Sequence, residues 1–508
     1  MPEKTFILSP TFASLQCSVI ANNVTGFSLS SFLPRNCVRG GLAITLAVAI
    51  WFSFGPWPSS ASGGGLDPSF GDGGKVTMDF FGTGQSVAAM VVQPDGKLIA
   101  SSAVSSLPDN LPNSSDSTDF GLVRFNRDGS LDTSFGVGGK VTTDFFEFAD
   151  YPGAGMALQP DGKIILVGSA LSVSVSTSES DDTGDFAIAR YNRDGSLDAS
   201  FGNGGRVTTD FQGFADSATS VAIEPGGKIV VAGSTTSASS NSPAGNFDNS
   251  DFALVRYNRN GSLDTSFGNG GKVITDFSGF ADTVSAMALS ANGRIVVAGE
   301  TRTVGFNYPS TTSADSADFG IACYDRNGNL DTSFGNGGKV ITDFSNFADR
   351  PTGVALLSNR KVLVTGYTFF AGFAVPAPFD YTGIAMARYN KDGNLDASFG
   401  SGGKVTTDFP GSSDLGLALA TEPNGTIVIA GGSTPIGGSP ESEDFEVIRY
   451  NRDGSLDTNG GKVTVDFFGL FDEAYAVAVE PSGVIYVGGI VAGPNDSAVM
   501  GIARLEKH

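Results

Sequence analysis

The chain has 508 residues and carries 53 Asp and Glu against 31 Lys and Arg, a formal net charge of −22. Such a surface repels nucleic acid and anionic lipid and favours cations. The only histidine is His508, the last residue, which excludes Ser-His-Asp and Cys-His catalysis and imidazole-ligated zinc.

Residues 1–61 differ in character from the rest. Arg35 and Arg39 precede an apolar run, Leu42 to Phe54 (LAITLAVAIWFSF), and Ser59 and Ala61 stand at the −3 and −1 places of a cleavage site. The run is short for a membrane span, which needs about 20 residues. This pattern is expected to be a secretory signal with a long lead-in, which implies export to the periplasm, the cell surface or the medium. An uncleaved N-terminal anchor is the other reading. Cys17 and Cys37 fall in this leader, so residues 62–508 keep only Cys323 and no disulfide framework. A core of this size needs no such staples.

From residue 62 onward one unit repeats. Its clearest copy is RYNRDGSLDASFGNGGRVTTDF, Arg190 to Phe211. The LD-x-SFG segment recurs with Asp67, Asp132, Asp198, Asp264, Asp331 and Asp396, and a shortened copy contains Asp457. The steps between these aspartates are 65, 66, 66, 67, 65 and 61 residues. A near-fixed period of this kind marks a repeat architecture. Within one unit, RVTTDF, SVAIEP (Ser220 to Pro225), KIVVAG (Lys228 to Gly233) and DFALVRYN (Asp251 to Asn258) read as strands bounded by Gly, Pro, Asn or Asp. IVVAG is apolar on both faces, as a strand sandwiched between neighbouring sheets should be.

Four short strands repeated seven times predict an all-β, seven-bladed β-propeller with four antiparallel strands per blade. A solenoid is the rival, but solenoids need capping repeats and do not close. The chain ends favour closure. KVTMDF (Lys75 to Phe80) is an outer strand with no blade before it, and MGIARLEK (Met500 to Lys507) is a third strand with no outer strand after it. The N-terminal strand is therefore expected to complete the last blade, removing two open edges. Inner strands are expected near Ser86, Gly153, Ala218, Val284, Thr352, Leu415 and Ala474.

The run DFALVRYN-x-DGSLDTSFG-x-GGKV-x-TDF, together with AVA-x-EPDGKIVVAG, resembles the delta-60 repeat family of bacterial exported proteins over residues 64–506. The resemblance implies a propeller-like repeat domain on exported or surface proteins with no established common activity, and it carries no catalytic residues to this chain. The last copy departs from the motif: LDTNGGKV lacks Ser-Phe-Gly, so its blade should have a weakened plug between third and outer strands.

Four repeated sets and one local group are candidates for function. Arg124, Arg190, Arg256, Arg388, Arg449 and Arg504 lie on third strands, with Cys323 in the remaining place, a small buried residue rather than a nucleophile. Asp79, Asp144, Asp210, Asp276, Asp343, Asp408 and Asp466 end the outer strands. These two sets are expected to pair with each other, a structural role. The N-x-DG-x-LD loops, such as Asn192 to Asp198, suggest calcium loops but have Arg190 where an EF-hand needs an acid, and read as Asx turns. Asp150, Asp216, Asp282, Asp349, Asp414 and Asp472, with Gln85 in the seventh place, precede inner strands. They are either strand-entrance acceptors or a carboxylate ring at the channel mouth that takes Ca²⁺.

The non-repeating loops are mostly Ser, Thr, Asp and Gly. In blade five, however, Phe369, Phe370, Phe373 and Phe379 crowd one loop, and Phe306 and Tyr308 lie on the equivalent loop of blade four. Either the loop folds over its own blade, or these aromatics form a contact surface for a protein or polysaccharide. The functional expectation is an exported, non-enzymatic binding module. The alternative is a metal-dependent hydrolase or lyase working at the channel mouth.

Overall fold

A computed structural model of the chain describes residues 65–507, apart from 81–84, 106–117, 147, 172–183, 212–214, 237–249, 278–280, 303–316, 345–347, 371–380, 438–441 and 494–497. The signal assigned to residues 1–61 lies outside the described residues, as do Phe306, Tyr308, Phe373 and Phe379.

Among the described residues, 28 strands form seven four-stranded sheets. The inner strands are Ala89–Val92, Asp150–Leu158, Asp216–Ile223, Asp282–Leu289, Asp349–Leu356, Ser412–Thr421 and Asp472–Val479. Each packs against the inner strands of both neighbouring blades, and the first touches the last, so the ring is closed. In blade three the order outward is Asp216–Ile223, Ile229–Thr236, Ser250–Tyr257 and Lys272–Thr275, all antiparallel.

The core lies between blades. Alternation along IVVAG sends Ile229 and Val231 toward Ile165, Val167 and Phe186 of blade two. Val230 and Ala232 pack instead with Val284, Ile295 and Val297 of blade four. All nine of the side chains drawn from the second and third strands here are 0% exposed, so both faces of each sheet are sealed, each burial contributing about 1.5–3 kcal/mol.

Closure takes the expected form. Lys75–Met78 pairs antiparallel with Ala498–Leu505, with Lys75 opposite Ala503 and Met78 opposite Met500. The last blade thus reads Asp472–Val479, Ile485–Ala492, Ala498–Leu505, then Lys75–Met78 from the other end of the chain.

The repeated motif has a structural explanation, and one expectation about it is corrected. The third-strand arginines do not pair with the outer-strand aspartates. Arg190 Nε donates instead to Asp198 Oδ2 at 2.7 Å. The LD-x-SFG loop folds back onto the third strand, with Asp198 N–H on Arg190 O at 2.9 Å, and this brings that carboxylate closer than the outer strand's. Ser200 donates to the other oxygen of Asp198 at 2.7 Å, Lys163 Nζ adds a contact of 2.7 Å, and Phe201 lies 4.4 Å beneath the guanidinium. Gly202 holds φ +51°, where a Cβ would run into the backbone oxygen of Arg206. Its N–H then reaches the next blade, at Asn260 O, 2.8 Å away. In blade four, where Cys323 replaces the arginine, Arg294 from the neighbouring strand supplies the guanidinium, 5.3 Å from the Phe334 ring and 3.0 Å from Cys323 Sγ.

Candidate functional site

The N-x-DG-x-LD loops form Asx turns, as the copy around Asp194 shows. Asp194 Oδ1 accepts from Ser196 N–H at 3.0 Å and from Ser196 Oγ at 2.7 Å, an Asx turn. Asp198 is taken by Arg190, Lys163 and Ser200.

The strand-entrance aspartates are buried: Asp150, Asp282, Asp349, Asp414 and Asp472 are 0% exposed and Asp216 1%. Five share a local role. Phe145, Phe211, Phe277, Phe344 and Phe467 donate their backbone N–H to Asp150, Asp216, Asp282, Asp349 and Asp472, at 2.6–2.7 Å. Gln85 accepts from Phe80 N–H in the same way, at 2.6 Å. The structure groups these aspartates with carboxylates from the preceding blade. Asp119, Asp144 and Asp150 have ligand oxygens within 4.8 Å of one another. The same holds for Asp185, Asp210 and Asp216, for Asp251, Asp276 and Asp282, for Asp318, Asp343 and Asp349, and for Asp444, Asp466 and Asp472. Each group joins a third strand, an outer strand and the next inner strand. Sequence reasoning found the outer and inner members but missed Asp119, Asp185, Asp251, Asp318 and Asp444, because DF on the third strand reads simply as a strand start.

Burial raises the inner carboxylates well above the ordinary range. Asp216, Asp282 and Asp349 are pushed up to about 6 and Asp150 and Asp472 to about 7. The difference follows the residue opposite on the second strand. Thr235, Thr301 and Thr368 face the first three, whereas Ala170 and Val491 face the last two and offer no hydroxyl.

A second cluster does not repeat. At the channel mouth on the same face, Arg350 follows Asp349 on its inner strand and stands opposite Tyr367. Its Nε lies 3.6 Å from Glu300 Oε2 of blade four, and Glu300 also takes Arg302 Nη2 at 2.7 Å. Two blades on, Glu473 follows Asp472, and the Tyr475 hydroxyl donates to its Oε2. Glu443 of blade six lies against this strand, its backbone oxygen accepting from Asp472 N–H at 2.7 Å. Burial, and then the charge of Glu473, push Glu443 up to about 7. Tyr367 is raised by burial and also senses Glu300 and Glu473. At the places of Arg350 and Glu473 other blades have Tyr151, Ser217, Thr283 and Leu415. Tyr475 and Tyr151 remain exposed, at 37% and 46%.

Of the aromatic loop, Phe369 is half-buried at the end of Val362–Phe370, its ring 5.7 Å from Tyr367 and 5.8 Å from the Arg350 guanidinium. It belongs to the mouth cluster. Phe370 pairs its backbone with Tyr381, and its side chain lies outside the described residues. Cys323 is buried, and burial pushes its thiol up to about 11, so it is no nucleophile at neutral pH.

Among solved structures, the chain is similar to a catalytically inactive virginiamycin B lyase from Staphylococcus aureus with quinupristin, at 8% identity and a TM-score of 0.44, covering 84% of this chain and 98% of that one. It is also similar to an alpha-L-arabinofuranosidase from Fusarium graminearum in complex with an iminosugar inhibitor, at 11% identity and a TM-score of 0.38, covering 83% and 93%. A third is the hydrazine synthase of Kuenenia stuttgartiensis, at 12% identity and a TM-score of 0.40, covering 84% and 96%. Likeness at this level carries no argument about activity. No curated protein shows significant similarity to the sequence. Six segments, 93–135, 159–201, 225–267, 290–334, 357–399 and 422–459, together about half of the chain, match one repeat family. With seven closed blades built on those same segments, the chain belongs to the family described as a domain of unknown function (DUF5122) beta-propeller.

Proposed function

We propose that the protein is an exported, non-enzymatic binding module that takes a polysaccharide at the channel mouth of blades four to seven. The observation that carries this reading is the Arg350, Tyr367, Phe369, Glu473 and Tyr475 cluster, which breaks a repeat that is otherwise nearly uniform. Side chains repeated in every blade build the ring, whereas side chains found once answer a demand that the ring does not make, such as a ligand. Planar guanidinium and carboxylate groups suit bidentate hydrogen bonds to hydroxyl pairs, and the neighbouring rings offer faces for a sugar. The basic, apolar and small-residue pattern of residues 1–61 supports export. Among the described residues, no helix is long and apolar enough to cross a membrane.

The test is a glycan panel followed by calorimetry on Arg350→Ala and Tyr367→Ala. Loss of binding by 10-fold or more, about 1.4 kcal/mol, with unchanged melting supports the reading. No binding across the panel, or binding indifferent to both variants, contradicts it. A hydrolase or lyase at the same mouth is favoured by one observation: Glu443 is raised to about 7 beside Glu473, so this carboxyl is partly protonated at neutral pH. Turnover of a bound glycan that Glu443→Gln abolishes would replace the binding reading with that one.

A further inference from the structure

We propose that five of the seven blade junctions are calcium sites, each formed by the three aspartates that meet there. The carboxylate groupings alone do not carry this; three further observations do. First, Asp150 and Asp472 are 0% exposed, yet Oδ1 of each has no hydrogen-bond partner. A buried carboxylate oxygen left this way costs free energy unless something positive meets it.

Second, the junction between blades five and six fills the equivalent place with a cation of its own. Asp414 Oδ1 receives Lys462 Nζ at 2.9 Å, with Ser433 Oγ 3.3 Å and Ser412 Oγ 3.5 Å from the same ammonium, which also pairs with Glu446. Here the third-strand carboxylate is missing, because Gly383 stands opposite Thr368 where other blades have Asp. Elsewhere the corresponding cation is turned to a backbone oxygen of the outer strand, as Lys75 is to Asp466 O at 2.9 Å.

Third, the last junction loses two of its three carboxylates together. Gln85 replaces the inner aspartate and Val499 the third-strand one, leaving Asp79. The junctions thus keep three carboxylates together, or lose one and turn the neighbouring lysine onto the inner aspartate, or lose two at once. That is how a built cation site behaves, and an Asp kept only to accept one backbone N–H would not require its two neighbours.

Three carboxylates against one basic side chain leave about two negative charges, which a divalent ion neutralises. Oxygen atoms within 4.8 Å of one another can meet one ion at Ca–O distances of about 2.3–2.6 Å. The outer-strand member, such as Asp466, is exposed, which gives the ion a way in. The junction aspartates are not members of the Arg350, Glu473 and Glu443 cluster, and this inference does not depend on the polysaccharide reading.

The probe is Ca²⁺ itself, bound to the full chain and measured by equilibrium dialysis with elemental analysis. The expected result is about five ions per chain, with dissociation constants on the order of 10⁻⁴–10⁻³ M and a higher melting temperature. Asp150→Asn should remove one ion. Gln85→Asp/Val499→Asp should add one, and this gain decides the matter if the first variant folds poorly. No calcium retained at millimolar concentration, or a stoichiometry that neither variant changes, overturns the proposal. Stabilisation by lowered pH alone, with no response to Ca²⁺, also overturns it by showing that the clusters hold protons.

Discussion

Arg504, on the last strand, donates from Nη1 to the carbonyl oxygen of Arg127, 2.7 Å away and 377 residues earlier in the chain. The same bond links Arg124 to Arg193 O and Arg190 to Arg259 O in consecutive blades. Gly71 N–H on Asp128 O, at 2.8 Å, likewise repeats the bond of Gly136 to Asp194 O. The seam between the chain ends therefore carries the ordinary inter-blade contacts, and closure costs the propeller no special device.

Removing residues 62–80 should expose the edge of Ala498–Leu505 and strip the bond from Gly71 to Asp128 O. We expect a loss above about 4 kcal/mol, at the exceptional end for a local change, or outright aggregation. Denaturant unfolding checks this, and a truncated chain that unfolds with the full chain would show that the strand is dispensable.

The Arg190–Asp198 pair is buried, so removing one partner should cost much more than removing both. Asp198→Asn is expected to lose about 3–5 kcal/mol, and Arg190→Met/Asp198→Leu to recover most of it. Burial alone would raise Asp198, but hydrogen bonds from Lys163 and Ser200 and the charge of Arg190 hold it far below the usual carboxylate range. Its contribution is therefore present above the unfolded value near 4 and is lost only as pH falls below it. Chemical denaturation of both variants at neutral pH separates the two outcomes.

The inner aspartates have the opposite sign. Asp216 is raised to about 6 and Asp150 and Asp472 to about 7, so the folded state keeps protons that the unfolded chain releases near pH 4. Without calcium, stability should fall as pH rises from about 4 to 7, each group contributing on the order of 1–3 kcal/mol. Melting curves across that range, with and without a chelator, test it. A flat calcium-free profile would show that these carboxylates ionise freely.

Blade six is the place to add stability. Arg449 is buried with no hydrogen-bond partner on Nε, Nη1 or Nη2, and its nearest carboxylate, on Glu422, is 3.6 Å away. Elsewhere a phenylalanine lies beneath the guanidinium, as Phe399 does 4.5 Å from Arg388. Inserting Ser-Phe-Gly after Thr458 restores LDTSFGNGGKV and should stabilise by about 1–2 kcal/mol, read from the denaturation midpoint. An unchanged or lower midpoint would mean that blade six has adapted to the shorter loop.

Much of this architecture was legible without coordinates, because it rests on local chemistry repeated in register. The apolar IVVAG runs demand a sheet covered on both sides, and unmatched outer and third strands at the two ends demand that they meet. The pairing partners were not legible. Arg190 lies 8 residues from Asp198 and 20 from Asp210, and only the fold-back of the SFG loop selects the nearer carboxylate. The strand-entrance aspartates likewise suggested a ring, since equivalent residues in a propeller share one level. Their grouping depends on the stacking of adjacent blades, which brings Asp444 and Asp466 to Asp472. The mouth cluster was invisible for the same reason: Glu300, Arg350 and Glu473 are far apart in the chain and single in their repeats. Sequence periodicity specifies which residues are equivalent, whereas contact between neighbouring blades depends on how the sheets pack about the channel, a long-range relation that no short pattern contains.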